Sequence, residues 1–240
     1  MLHHGALTVA TSYPALSPWF IDNAPWNQKG YEAGVAYDVA KALGFDAKAV
    51  TWYSEPYELS EESGSKPFDF DINEFIYEKS LSSTVSFSTG YFNVNQSLVA
   101  LHSDAIVTDH TPKELKTYLY GAVAGSPGLA FAIDEIKPDK APTAYSSMTD
   151  AIAALNAGEI DAIVVDVPTG QYIATEQLTG GVQVGQFRTT GERYVLVLEH
   201  QSSLTYCVDK AIHAIAADGT LSALSKRWLK VYNAIPVLQP

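Results

Sequence analysis

Short runs of β-branched and apolar residues alternate along the chain with segments of helical periodicity. Residues 7–11 (LTVAT) and 161–166 (DAIVVD) are typical of buried strands, whereas 34–43 has the apolar spacing of an amphipathic helix that ends at Gly44. The same criteria predict strands over 47–53, 68–75, 96–101, 120–124, 182–187 and 194–198, and helices over 112–119, 147–157, 169–176, 203–217 and 221–231. Strands that alternate with helices in this way predict an α/β fold with parallel sheets.

The composition excludes several classes of protein. The 240 residues include 15 Lys and Arg against 27 Asp and Glu, a net charge of −12. Such an acidic chain does not suit nucleic acid or an anionic membrane surface. Cys207 is the single cysteine and the histidines after His4 are dispersed, so we predict no disulfide, no metal site and no cofactor.

No apolar run is long enough to cross a membrane. The first five residues, MLHHG, also lack the apolar core of a signal peptide. We therefore expect either a protein that stays in the cytoplasm or one whose export signal is not part of this sequence.

Five segments, in this order, carry a resemblance to a known family. They are LTVAT…SPWF (7–20), GYEAGVAYDVAKALGF (30–45), FDFDINEF…VSFSTGYF (68–92), ALNAGEIDAIVVDVPTGQYIA (154–174) and ADGTLSALSKRWL (217–229). Together they resemble the bacterial extracellular solute-binding proteins of amino-acid ABC transporters, which are type II periplasmic binding proteins of family 3.

The resemblance implies an architecture and a way of working. It implies two α/β lobes, each a mostly parallel sheet flanked by helices, joined by two crossing strands. Lobe 1 would be residues 1–103 and 193–240, and lobe 2 would be 104–192. A small molecule would be trapped between the lobes by hinge closure, without catalysis. It further implies a monomer outside the cytoplasm, periplasmic or lipid-anchored, that delivers its ligand to ABC-transporter membrane subunits.

The resemblance also assigns a carboxylate clamp, from which this chain departs. The family holds an amino-acid carboxylate with an Arg, whose fork matches the two oxygens, with a Thr, and with N–H groups that open a helix of lobe 2. Here Leu81 and Ile76 stand at the Arg and Thr positions, and Ser126 is followed by Pro127, which has no N–H to donate. No arginine precedes Arg188, so a shifted alignment would not restore the guanidinium. We therefore expect the clamp to be lost.

Acidic residues remain where the family binds the ammonium group. Asp166 takes the family's acidic position, and its alternative role is the N-cap of the following helix. Glu74 stands where the family commonly has Gly or Gln, and is either an acid at the edge of the cleft or a solvated edge residue. Strand alternation would put Glu74 and Ile76 on one face and Asn73 and Phe75 on the other.

Aromatic residues complete the predicted binding set. Tyr57 falls where the family places a ring that stacks on the ligand, and Tyr13 and Trp19 come from the loop that lines the same cleft. Rings and carboxylates together favour a cation. For Trp19 the alternative is an ordinary core position.

The sequence thus predicts a binding protein for a cationic or neutral, amine-like or aromatic molecule. Natural divergence and deliberate redesign into a receptor or sensor both explain the departures. Three alternatives stay open: ordinary amino-acid uptake with a rebuilt clamp, an enzyme similar to cyclohexadienyl dehydratase with Glu74 or Glu192 as general acid, and a protein that has lost ligand binding.

Overall fold

A computed structural model describes residues 2–188 and 191–240 of the chain. Its strands are β1 (Leu7–Thr11), β2 (Val50–Ser54), β3 (Phe70–Asp71), β4 (Val85–Phe87), β5 (Phe92–Asn93), β6 (Gln96–Leu101), β7 (Tyr120–Val123), β8 (Thr143–Tyr145), β9 (Ala162–Asp166), β10 (Gly181–Phe187), β11 (Arg193–Tyr194) and β12 (Val197–Glu199). Its α-helices are α1 (Tyr31–Ala42), α2 (Tyr57–Glu61), α3 (Pro112–Leu115), α4 (Pro127–Phe131), α5 (Met148–Asn156), α6 (Val167–Tyr172), α7 (Thr205–Ala217), α8 (Thr220–Trp228) and α9 (Lys230–Ala234).

The chain divides into two compact units, each built from two separate segments. Unit 1 comprises residues 2–93 and 192–230, and unit 2 comprises residues 94–191 and 231–240. The sequence predicts boundaries at 103/104 and 192/193, with all of 193–240 in lobe 1. The first boundary lies earlier because β6 pairs with β9 and β10. The last ten residues belong to unit 2 because they pair with β10: the N–H of Gln186 donates to the carbonyl of Pro236, and the N–H of Leu238 donates to the carbonyl of Gln186.

Unit 1 contains a sheet with the strand order β2-β1-β3-β12-β4. Strand β1 pairs in parallel with β2 and β3, whereas β12 is antiparallel to β3 and β4. All five residues of β1 are buried, as its apolar run predicted. Helix α1 packs against α7 and α8, where Gly34 lets the side chain of Leu224 approach its backbone.

The chain leaves unit 1 after β5 and re-enters it just before β11, and these two strands pair antiparallel within the unit. Their facing residues Phe92 and Tyr194 stack, with ring centroids 5.5 Å apart. Trp19 meets both rings edge-on at 5.6 and 5.4 Å, and it meets Tyr31 of α1 at 5.8 Å. This aromatic cluster anchors both strands to the body of unit 1.

Unit 2 contains a second sheet, ordered β10-β6-β9-β7-β8. Alternate residues of β6 and β9 enter two different hydrophobic clusters, Leu98 and Val164 on one face and Val99 and Ile163 on the other. Both faces of this sheet are therefore covered, which explains why the predicted strands read as continuous apolar runs.

Two predictions about strands need correction. Each of the two five-stranded sheets combines two parallel with two antiparallel pairings among the described residues, so these sheets are mixed and not mostly parallel. The strand predicted over 68–75 is limited to β3, because Glu74 adopts a left-handed conformation with φ 57°. The alternation of faces from Asn73 to Ile76 therefore does not apply.

No helix in residues 2–188 and 191–240 is long and apolar enough to span a bilayer.

Replacing Gly30 by alanine is expected to destabilise unit 1 much more than replacing Gly44. Both glycines have positive φ, +114° and +91°, so either substitution costs about 1 kcal/mol in backbone strain. A Cβ at Gly30 would in addition lie 2.2 Å from the carbonyl oxygen of Trp19, whereas nothing lies within 4 Å at Gly44. We expect a loss of about 3 kcal/mol for Gly30→Ala and about 1 kcal/mol for Gly44→Ala in urea unfolding followed by circular dichroism. Equal losses would contradict the steric argument.

Candidate ligand-binding site

The segment 73–76 follows β3 and carries four of the predicted binding residues. The side-chain amide of Asn73 donates to the hydroxyl of Ser12, just after β1. The peptide N–H of Glu74 donates to Oε1 of Glu32 at 2.8 Å, and the hydroxyl of Tyr194 lies 3.5 Å from Oε2 of Glu74. These contacts fix a segment that has left the regular strand.

The next residues of this segment run beside the chain that enters unit 1 at β11. Ile76 forms an isolated antiparallel bridge with Tyr194, and the N–H of Val195 donates to the carbonyl of Phe75 at 2.9 Å. Phe75 is completely buried in a small cluster with Val85 and Val195, against which Leu81 packs. Phe75 and Leu81 therefore contribute to the core of unit 1.

Tyr57, at the start of α2, stacks on Phe75 with ring centroids 4.4 Å apart. Burial raises the pKa of its hydroxyl above the ordinary value, and the nearby carboxylates of Glu61, Glu78 and Glu74 raise it further. Burial raises the pKa of Glu61, a half-buried side chain, and the carboxylates of Glu78 and Glu58 raise it further. The surroundings of the Tyr57 hydroxyl are therefore acidic.

The two aromatic residues of the first loop lie in different environments. Tyr13 is 71 % exposed, whereas Trp19 is 4 % exposed and is enclosed by the aromatic cluster. Trp19 therefore has the core position that the sequence left open as its alternative role.

The predicted residues of unit 2 both cap short helices. Asp166 ends β9, and its Oδ1 accepts from the N–H of Thr169 at 2.9 Å, so the capping role is confirmed. The hydroxyl of Ser126 accepts from the N–H of Leu129 at 3.2 Å, with Pro127 as the first residue of α4. Both caps are half-buried.

The sequence analysis missed a group of buried carboxyls in unit 1. Glu32 of α1 is 1 % exposed and Asp71 of β3 is 0 % exposed. Glu32 accepts a short hydrogen bond from the hydroxyl of Tyr91, and Asp71 accepts one from Ser60. The helix was predicted to begin at Gly34, whereas α1 begins at Tyr31, and the apolar face extended by one turn would have included Glu32, three residues before Val35. Asp71 gave no such signal, since its alternation with Phe70 is typical of a half-solvated strand.

Burial makes these carboxyls hard to ionise. The pKa of Glu32 is raised to about 7 and that of Asp71 to about 8, in both cases mainly by desolvation. The nearby carboxyls of Glu32 and Glu55 contribute to the rise at Asp71. Within the described chain, Oε2 of Glu32 and Oδ1 of Asp71 have no hydrogen-bond partner, which also favours the neutral form. The buried ammonium of Lys66 interacts with Asp71 but donates its hydrogen bonds to the carbonyls of Leu59 and Glu62.

Metal binding finds no support in the residues that the structure describes, which contain no group of three or more His, Cys, Asp or Glu side chains able to hold an ion. Cys207 is exposed.

Comparison with known proteins identifies the family. Solved structures with this fold include the second substrate-binding domain of a putative amino-acid ABC transporter from Streptococcus pneumoniae, at 18 % identity and a TM-score of 0.66, covering 93 % of this chain and 99 % of that one. The fold is that of the type II periplasmic binding proteins. Residues 7–231 match the bacterial extracellular solute-binding proteins, family 3, and the chain belongs to that family. No curated protein matches.

Two further structures are similar in fold. One is an ancestral arginine-binding protein bound to arginine, at 23 % identity and a TM-score of 0.56, covering 93 % of this chain and 98 % of that one. The other is an ancestral amino-acid-binding protein described as a precursor of cyclohexadienyl dehydratase, at 20 % identity and a TM-score of 0.56, covering 93 % and 95 %. At these identities the likeness extends to the fold alone.

We predict that the stability of the protein falls as the pH rises from about 5 to 8. A folded-state pKa of about 8 for Asp71, against the ordinary 3.8, means that the folded protein keeps a proton that the unfolded chain releases in this range. Each such proton changes the free energy of unfolding by about 1.4 kcal/mol per pH unit. Asp71→Asn should remove about one proton from the slope of unfolding free energy against pH, measured by urea titration.

The matched control for this measurement is Asp134→Asn, which changes an exposed aspartate. It should leave the slope unchanged. A slope that is the same in Asp71→Asn and in the unmodified protein would show that Asp71 is ionised in the folded state.

Proposed function

We propose that this solute-binding protein binds a small cationic organic molecule, an amine or a quaternary ammonium with an apolar or aromatic body. The observation that carries the proposal is the acidic surrounding of Tyr57, where a ring is combined with the carboxylates of Glu61, Glu74 and Glu78. A cation over a tyrosine ring is attracted by the ring quadrupole, and nearby carboxylates add Coulomb attraction. Of the cationic and neutral ligands that the sequence left open, this arrangement favours the cationic ones.

The proposed ligand contacts in unit 1 are Tyr57, Asn73, Glu74 and Ile76, with the exposed ring of Tyr13 as an additional aromatic group. Phe75, Leu81 and Trp19 support these residues from the core. Of the binding residues predicted from the sequence in unit 1, those whose side chains are packed in the core are therefore not proposed as ligand contacts.

Unit 2 would supply a second acid, Asp166. One of its oxygens caps α6, which holds the carboxylate in a fixed position. Ser126, at the family's second clamp position, already has its hydroxyl engaged by the N–H of Leu129. Pro127 has no N–H, so this helix start is a poor site for a ligand carboxylate.

A zwitterionic amino acid would bring a carboxylate to these residues. Glu74 and Asp166 would repel it, and a desolvated charge without a partner costs several kcal/mol. We therefore expect discrimination against anionic ligands and ordinary amino acids. Uptake of a cationic amino acid is the second candidate, which the similarity to an arginine-binding protein and the acidic residues both favour.

The rest of the proposed role follows the family. Its members are extracellular, so we propose that the chain acts outside the cytoplasm, as a monomer, and passes its ligand to ABC-transporter membrane subunits.

A thermal-shift panel tests the ligand class. The probes are phenethylammonium, choline, L-arginine and L-glutamate, each present at saturating concentration. A ligand at 100 times its Kd stabilises the folded state by about 2.7 kcal/mol, which raises Tm measurably. We expect a rise in Tm with phenethylammonium or choline and none with L-glutamate.

Other outcomes would favour the alternatives. A rise with L-arginine alone would favour ordinary uptake of a cationic amino acid. Release of phenylpyruvate from prephenate would favour the dehydratase, with Glu74 or Glu192 as general acid. No rise with any probe would contradict the proposal and favour a protein that has lost ligand binding.

Asp166→Asn is expected to weaken binding of the cationic probe about tenfold or more, because it removes a carboxylate that pairs with the ligand. Asparagine is as good an N-cap as aspartate, so stability should change little. The measurement is isothermal titration calorimetry, and the control is Asp139→Asn, an exposed aspartate of the same unit. Unchanged affinity would limit Asp166 to its capping role.

A further inference from the structure

We propose that Glu32, a residue of α1 that does not belong to the predicted binding set, is a positioning residue that holds the ligand-binding segment 73–76 through the peptide N–H of Glu74. The inference rests on the proposed function, since it assigns a role in ligand binding to a side chain that would not touch the ligand. Its geometry is observed within unit 1 alone.

Glu32 joins two parts of unit 1 through a single oxygen. Its Oε1 accepts from the N–H of Glu74 at 2.8 Å and also accepts a short hydrogen bond from the hydroxyl of Tyr91. The neighbouring residue on α1, Tyr31, donates its own hydroxyl to the carbonyl of Tyr91 at 2.9 Å. Helix α1 therefore holds both the segment after β3 and the chain that leads into β5.

The peptide of Glu74 depends on such an acceptor. Glu74 has a positive φ of 57°, an unfavourable conformation for a residue with a Cβ, and it lies beyond the end of β3. An N–H in this position has lost the acceptor that a continuing strand would provide. The carboxylate of Glu32 replaces that acceptor and makes the left-handed turn at Glu74 a defined one.

The left-handed turn at Glu74 also sets the direction of its side-chain carboxylate. Oε2 of Glu74 lies 3.5 Å from the hydroxyl of Tyr194, and the next residues pair with the chain around β11. If the peptide of Glu74 rotated, its side chain would lose this position. Glu32 therefore acts on ligand affinity through the placement of an acidic side chain that faces the ligand.

The charge of Glu32 decides how well it performs this role. The titratable groups that interact with it include Tyr31, Tyr91 and Asp71, and its hydrogen-bond donors include the Tyr91 hydroxyl and the Glu74 N–H. Burial raises its pKa to about 7. Above this pH the carboxylate accepts both hydrogen bonds as an ion, and below it the neutral carboxyl accepts them more weakly. Affinity for a cation should therefore fall as the pH falls through about 7.

The experiment follows the Glu74 amide by ¹H–¹⁵N NMR between pH 5.5 and 8.5, in the unmodified protein and in Glu32→Gln. We expect the amide proton to move upfield on acidification with a midpoint near pH 7, and not to titrate in Glu32→Gln. Glu135→Gln, at an exposed position, should behave as the unmodified protein does. An amide that titrates equally in Glu32→Gln, or does not titrate in the unmodified protein, would overturn the proposal.

Calorimetry with phenethylammonium provides the second readout. The Kd should rise about fivefold from pH 8 to pH 6 in the unmodified protein, the change expected over this range when ligand binding lowers a pKa of about 7 by one unit. In Glu32→Gln the Kd should not depend on pH. A Kd that rises equally in Glu32→Gln would also overturn the proposal. If the amide titrates through Glu32 but the probe does not bind, the positioning role stands and the proposed ligand class fails.

If Glu32→Gln does not fold, Tyr91→Phe is the variant that tests the proposal. It removes one donor from the ionised carboxylate, so the midpoint of the Glu74 amide should move above pH 7. An unchanged midpoint would show that the titration does not report on Glu32.

Discussion

Burying a carboxyl group costs several kcal/mol unless hydrogen bonds, a nearby cation or a retained proton offset the loss of water. Unit 1 is organised around two such groups. Glu32 lies where α1 meets the segment after β3, and Asp71 ends that strand in contact with Ser60. Each is served by donors from other parts of the unit, so the hydrogen bonds that offset burial also fix how helix, strand and loop are arranged. The placement of the candidate binding residues depends on this arrangement.

The sequence was sufficient to predict the strands whose residues are buried along nearly their whole length. The strands at 7–11 and 161–166 were predicted almost to the residue because each is an interior strand of its sheet and is buried along nearly its whole length. The α/β class and the family followed from the same segments and are confirmed by the match over residues 7–231. The unit to which β6 belongs depends on its pairing with strands that are distant in the sequence, and local periodicity carries no information about such partners. The division of the chain was therefore misplaced by about ten residues.

The candidate site was harder to predict, because it depends on exceptions to regular structure. Glu74 leaves the strand in a left-handed conformation, which glycine adopts most easily, and this fits the family's frequent Gly at the position. The prediction of which residues share a face of the strand was therefore wrong from Asn73 onwards. Glu32 was overlooked because the helix was predicted to begin at Gly34, whereas α1 begins at Tyr31 and buries Glu32 in its first turn. Asp166 was located correctly because strand end and N-cap have a local signature, although its role towards a ligand stays a proposal.

The last ten residues of the sequence belong to unit 2, where Leu238 packs against Gly185 in its core and Gln186 donates to the carbonyls of Tyr232 and Ile235. Between them and the rest of unit 2 lies the whole returning segment of unit 1. During synthesis, unit 1 thus has all of its residues once position 230 has emerged from the ribosome, while the core of unit 2 still lacks Leu238. Unit 2 starts later and also finishes later, and a chaperone that binds the nascent chain would find its exposed apolar surface there.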